Sequence, residues 1–142
     1  MKCSIDGRQV HKTGQTLRAV IPSSLAEVED VCRSVRQLLE YNGMKDHAFG
    51  VELLVRELVN NAILHGNKLD VSKNVRISVR IWHRIIALSV ADEGPGFDWR
   101  SQLCHQPDLS DTSGRGLAIG LIYADRMAFN HAGNRVVLVI RN

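Results

Sequence analysis

From Val75 to Trp82 the chain alternates strictly, with Val75, Ile77, Val79 and Ile81 on one side and Arg76, Ser78 and Arg80 on the other. A period of two is what a strand needs when one face is covered and the other open. Ile85 to Ala91 then follows as a nearly all-apolar run, which suits the centre of a sheet. His83-Arg84 must turn the chain between them, although neither residue is a favoured hairpin type. A half-covered antiparallel pair needs a second layer against its apolar side, and helices packed there would bury it.

The helices are legible as stripes. Leu17 to Ile21 reads as a short strand ending at Pro22, and Ser23-Ser24 offers a helix N-cap with Glu27 placed as in a capping box. Leu25, Val28, Val31, Cys32, Val35, Leu38 and Leu39 then recur at helical spacing until Asn42-Gly43 supplies a C-cap. A second helix runs from about Lys45 to His65 and stops at Gly66, with Val51, Leu54, Val55, Leu58 and Ala62 as its stripe. After the strand at Ile85 come the turn Asp92 to Gly96 and a long polar stretch, Asp98 to Ser113. Gly114-Arg115-Gly116 opens a short helix from Leu117 to about Asp125, and a hairpin of Met127 to His131 with Arg135 to Ile140 closes the chain around Gly133-Asn134. The first fifteen or so residues are weakly patterned and read as a flexible arm or an edge strand. The expected fold class is α/β (α+β), a two-layer sandwich with helices on one face of a mixed, mostly antiparallel sheet.

Length and composition bound the function. A chain of 142 residues suits one domain spanning 1–142. No apolar run is long enough to span a bilayer and no signal-peptide core follows Met1, so a cytoplasmic protein without a membrane partner is expected. Cys3, Cys32 and Cys104 are odd in number and outside any zinc spacing, and read as reduced thiols. The net charge of +3 rests on scattered arginines, too diffuse in sequence to indicate direct nucleic-acid binding yet compatible with a phosphate-bearing ligand.

Three stretches carry chemistry. Glu57 and Asn61 are one helical turn apart, at the edge of the apolar arc, and His65 follows one turn further. Two oxygen-bearing side chains so placed suit a hydrated Mg²⁺ completed by phosphate; an ordinary amphipathic helix with Glu57 in an exposed ion pair gives the same pattern. Asp92 shares the parity of Ile86, Leu88 and Val90, which aims its carboxylate at the covered side of the sheet, where an adenine amine would satisfy it. Gly94 and Gly96 would let the backbone pass close to a flat ring, although D-x-G-x-G is also frequent in plain turns. Ser113-Gly114-Arg115-Gly116-Leu117 exposes backbone N–H groups at a helix start, which suits phosphate; it lacks the Lys-Ser/Thr ending of a P-loop. Singly each is weak. In this order they supply the metal, base and phosphate parts of an ATP site.

E-L-V-N-N-A-I-L-H-G-N (Glu57 to Asn67) resembles the N box of the GHKL ATPase superfamily, which includes gyrase, histidine kinases and mismatch-repair ATPases. V-A-D-E-G-P-G-F (Val90 to Phe97) resembles its first glycine box and S-G-R-G-L-A-I (Ser113 to Ile119) its second. The short form and the N-A-x-x-H-G ending are most similar to bacterial anti-sigma factor serine/threonine kinases. The resemblance implies the Bergerat fold, with Asn61 on Mg²⁺, Glu57 activating the attacking hydroxyl, and Asp92 on the adenine amine. It implies His65, Gly94, Gly96, Gly114, Arg115, Gly116 and Leu117 around ATP, and a mobile lid from Asp98 to Ser113. It further implies phosphorylation of a small STAS-type anti-sigma factor antagonist, sequestration of a sigma factor, and a homodimer. Thr112 stands where some members have arginine, and the lid carries Cys104 and His105 rather than a basic cluster. The other readings are a nucleotide-gated binding module without transfer activity, and an interaction domain with no nucleotide site.

Overall fold

The computed structural model describes residues 2–5, 8–98, 100, 118, 120 and 122–141. Among these residues seven strands form one sheet: β1 (Lys2–Ile5), β2 (Arg8–Lys12), β3 (Thr16–Pro22), β4 (Asn74–Trp82), β5 (Ile85–Ala91), β6 (Arg126–Phe129) and β7 (Arg135–Arg141). Their spatial order is β1-β2-β3-β4-β5-β7-β6, and every pairing is antiparallel. The mostly antiparallel sheet expected from the sequence is antiparallel throughout among the described residues. Each described neighbour pair runs in opposite directions, so no parallel crossover is needed. The weakly patterned start of the chain is not a loose arm: β1 and β2 extend the sheet beyond β3 at its edge.

Helices α1 (Val28–Tyr41) and α2 (Lys45–Asn61) cover one face. The alternation predicted for β4 holds, with Val75, Ile77, Val79 and Ile81 buried and Arg76 and Arg80 exposed. Facing them across the layer are Val28, Val31, Cys32, Val35, Leu38 and Leu39 of α1 and Val51, Leu54, Val55, Leu58 and Val59 of α2, all buried. Burying each larger aliphatic side chain stabilises by roughly 1.5–3 kcal/mol, which is what holds the two layers together. Leu25 departs from the predicted stripe and is 47% exposed. It sits in a 3-10 turn (Leu25–Glu27) that precedes the helix, and Ser24 makes no side-chain cap hydrogen bond. The tighter turn rotates Leu25 off the α-helical face.

Ion pairs tie the helices together on their outer side. Arg36 Nε donates to Glu52 Oε2 at 2.7 Å and its Nη2 to the other carboxylate oxygen, while Arg56 reaches Glu29 at 2.9 Å. The Arg36 hydrogen bonds hold the Glu52 carboxyl below its ordinary range. Cys32 is a free, buried thiol, and burial pushes it up to about 11 against the opposing charge of Arg56, so it is inert at neutral pH. Ala118, Gly120, Ile122 and Tyr123 are helical, within the span expected for the third helix. Tyr123 packs against α2 so closely that a Cβ on Gly50 would stand 2.5 Å from its ring. Among the described residues no helix is long and apolar enough to cross a membrane.

Candidate functional site

The end of α2 and the end of β5 meet around one cavity. After Asn61 the helix does not stop but widens into a π-helical turn (Ala62–Gly66), closed by the Asn67 N–H donating to the Ala62 carbonyl at 2.8 Å. Such widenings are rare and concentrate at functional sites. Leu58, Asn61, Ala62, His65 and Gly66 present one side of this segment to a cavity of about 270 Å³. Val90 and Asp92 line it from β5, Gly96 and Phe97 from the following turn, Phe129 from β6, and Arg135 and Val136 from β7. The volume lies near the lower end of the roughly 300–1,000 Å³ common for ligand clefts.

Parity explains Asp92. It continues the buried series Ile86, Leu88 and Val90 past the end of β5, so its carboxylate turns to the helical side. Oδ1 accepts from the Gly94 N–H at 2.8 Å. Oδ2 accepts from no described residue. Burial raises the Asp92 carboxyl above its ordinary value, against the Gly94 amide and the charge of Lys73. A half-buried carboxylate with a spare acceptor beside an apolar slot is suited to a flat ligand carrying an N–H donor. Phe97 and Phe129 form part of that slot, edge to face with centroids 5.5 Å apart.

The glycines serve the protein before they serve a ligand. A Cβ on Gly66 would stand 2.4 Å from Asp92 Cγ, and one on Gly94 would stand 2.1 Å from the Gly66 carbonyl oxygen. Gly94 is buried and not among the residues that line the cavity; its missing side chain makes room for the carbonyl of Gly66 at the end of the π-helical turn. Gly96 does line the cavity; its φ of +84° and its approach to the Ala132 carbonyl both exclude a side chain.

Asn67 is what sequence reasoning missed. It is 1% exposed, and its Oδ1 accepts from the Glu93 N–H at 2.8 Å while Nδ2 donates to Ser23 Oγ at 2.8 Å and to the Asn74 carbonyl at 3.0 Å. One buried amide thus fixes the Asp92 turn against the end of α2, β3 and the start of β4. Asn134, read only as part of a hairpin turn, closes the other side: its carbonyl accepts from the Asp92 N–H at 2.9 Å and its Nδ2 donates to the Gly94 carbonyl at 3.1 Å. The signal was available for Asn67 within the N-box stretch itself, but an Asn after His-Gly carries no periodicity that marks it as buried.

Of the residues predicted from sequence, Asn61, His65, Asp92 and Gly96 line one cavity. Glu57 is half-buried, one turn before Asn61, and is not part of the lining. Gly114, Arg115, Gly116 and Leu117, and the lid apart from Asp98 and Arg100, lie outside the described residues. The described lining fits the base of a nucleotide, with a spare Asp92 carboxylate oxygen beside the slot that holds Phe97 and Phe129. The Asn61 amide oxygen is a single oxygen donor, which would suit a cation completed by phosphate and water; among the described residues no group of three or more His, Cys, Asp or Glu side chains that could hold a metal occurs.

No significant match is found among curated proteins. The model of the histidine kinase-like ATPase domain matches residues 21–140. That span holds both sides of the cavity, from Leu58 on α2 to Val136 on β7, and the chain belongs to the histidine kinase-like ATPase domain family, an ATP-binding family.

Proposed function

We propose that the chain is an ATP-dependent protein serine/threonine kinase of the anti-sigma factor type, which phosphorylates a small STAS-type antagonist and, when free of it, sequesters a sigma factor as a homodimer. The observation that carries the nucleotide part is that Asn61 and Asp92, thirty-one positions apart in sequence, line one cavity. In this reading Asp92 Oδ2 accepts from the adenine amine, with Phe97 and Phe129 beside the ring. Asn61 and His65 face the phosphate end, and Gly114, Arg115, Gly116 and Leu117 cover the phosphates by their place in the second glycine motif. Mg²⁺, held by Asn61, supplies charge neutralisation on the phosphates.

Glu57 stands outside the cavity lining and is half-exposed, a position open to a protein substrate as well as to the helix. There it accepts the proton of the substrate serine as the hydroxyl oxygen attacks the γ-phosphorus; the bond from that phosphorus to the β–γ bridging oxygen breaks and ADP leaves. The test is titration with ATP, with and without Mg²⁺, followed by incubation of γ-labelled ATP with candidate antagonists. Label on a serine of the antagonist supports the kinase. ATP bound without any transfer removes it and leaves the second reading, a nucleotide-gated binding module, which the absence of Glu57 from the cavity lining favours.

A further inference from the structure

The charges of this chain are segregated by the fold. Among the described residues no strand contains an Asp or a Glu, whereas Arg18, Arg76, Arg80, Arg126, Arg135 and Arg141 all stand in strands, at exposed positions of the parity opposite to the buried one. The face of the sheet away from α1 and α2 therefore collects what the sequence scatters. Residues directly opposite in antiparallel strands share a face, and the register sets Arg76 (β4), Ala91 (β5) and Arg135 (β7) in one row. Arg80, Ala87, Val139 and Arg126 form another row across β4, β5, β7 and β6, and Arg18 lies opposite Ser78. All of these arginines are exposed. None of them forms an ion pair with any described residue. On the helical side the opposite holds, with Arg33, Arg36 and Arg56 paired to Asp30, Glu52 and Glu29.

The geometry points to a docking surface for an acidic helix of a partner protein. β5 contributes Ile85, Ala87, Ser89 and Ala91 to this face, a floor of mostly small side chains between Arg76 and Arg80 of β4 and, on β7, Arg135 and Arg141 with Val137 and Val139 between them. Two inter-strand spacings separate those rails, about 10 Å. An α-helix of about 10–12 Å diameter lies along such a floor with carboxylates directed to both rails, where Arg binds them in its two-pronged geometry. At one end Arg18, Arg80, Ser78 and Thr16 line a separate polar groove that accepts a further carboxylate. Single-stranded nucleic acid is the weaker fit, because stacking along a strand needs a series of aromatic platforms and the described strands offer this face one, Trp82 beside Arg80. A second copy of the chain would set arginine against arginine. Arg135 is shared with the nucleotide cavity, and the test therefore uses Arg76 and Arg80, which are not among its lining residues.

The experiment measures fluorescence anisotropy of a labelled helical Glu/Ala peptide against wild type, Arg76→Glu, Arg80→Glu and Arg33→Glu. A Lys/Ala peptide of equal length, a labelled poly(U) oligonucleotide, and phosphatidylserine–phosphatidylcholine vesicles complete the set. The expected result is salt-sensitive binding of the Glu/Ala peptide, weakened about tenfold or more by either sheet substitution and unchanged in Arg33→Glu, which alters net charge equally. Thermal melting shows that each variant is folded; Arg76→Gln and Arg80→Gln replace any that is not. Tighter binding of poly(U) or of vesicles overturns the proposal. So does equal loss in Arg33→Glu, or a change in the sedimentation mass of the free protein on substituting Arg76 or Arg80, which would assign the face to a second copy.

Discussion

Gly66 and Asp92 are in such close contact that a methyl group on Gly66 would stand 2.4 Å from Asp92 Cγ. The carboxylate cannot keep its place beside that methyl, and it cannot retreat without losing its hydrogen bond from Gly94. Gly66→Ala therefore moves the acceptor that reads the base. The expected outcome is an ATP affinity lowered by about tenfold or more, with a loss of stability of roughly 1–3 kcal/mol, the usual range for overpacking. Isothermal titration together with a denaturant melt separates the two effects. Unchanged affinity would remove Asp92 from the nucleotide site.

Asn67→Ala strips the partner from the Glu93 N–H and from the Asn74 carbonyl in a buried place. An unpaired buried group costs about 1–3 kcal/mol, and the void adds to it. A loss of roughly 2–4 kcal/mol is expected, seen as a melting temperature lower by around 10 °C. Saturating ATP should recover part of the difference, because bound nucleotide re-ties the Asp92 turn. A variant as stable as wild type would show that the amide network does not hold the turn.

Most of the helical layer and the central strands were legible because burial imposes a period that the sequence cannot hide. β4 reads as a strand from its alternation alone, and α1 and α2 read as helices from their stripes. The parity of Asp92 with Val90 was enough to aim its carboxylate. What escaped was non-local. The first fifteen residues left an arm and an edge strand both open, and pairing decides between them, β1 to β2 and β2 to β3. Leu25 fell off its stripe because a 3-10 turn intervened. The work of Gly94 depends on a carbonyl twenty-eight positions away, at Gly66, and the clustering of arginines depends on strand register, which composition averages away.

His83 and Arg84 form the two-residue link between β4 and β5, with φ of +44° and +64°. Both residues in the left-handed region is the type I′ geometry, whose twist matches the strands and which favours Asn-Gly. The turn residues that looked unsuitable are thus held in place by the ladder on either side of them. Replacing the pair, His83→Asn with Arg84→Gly, should raise stability by about 1 kcal/mol, partly offset by losing the edge contact of His83 with Trp82. Chemical denaturation checks this, and a less stable variant would show that the side chains of the turn outweigh its backbone strain.

Asn61 is the one oxygen donor of α2 in the cavity lining. If it holds the cation, Asn61→Ala should remove most of the difference between ATP affinity with Mg²⁺ and in chelator, while adenosine binding stays as in wild type. Titrations with ATP and adenosine, each with and without Mg²⁺, give this directly. An Mg²⁺ dependence that survives the substitution would move the metal to another donor.

Asp92 makes nucleotide binding depend on pH in a stated direction. Burial raises its carboxyl in the free protein, so the folded state binds a proton more tightly than the unfolded chain. Its contribution to folding is therefore greatest below the ordinary carboxylate value and is lost as pH rises through the raised one. ATP acts the other way: an amine donating to Oδ2 favours the ionised form and pulls the value down, so binding expels the proton. Affinity should then fall as pH drops through the raised value, a window above the ordinary carboxylate range, with proton release detectable as a dependence of binding heat on buffer ionisation. Asp92→Asn cannot lose a proton and should bind weakly with no such dependence in that window. The same pH slope in Asp92→Asn as in wild type would assign the titration to a different group.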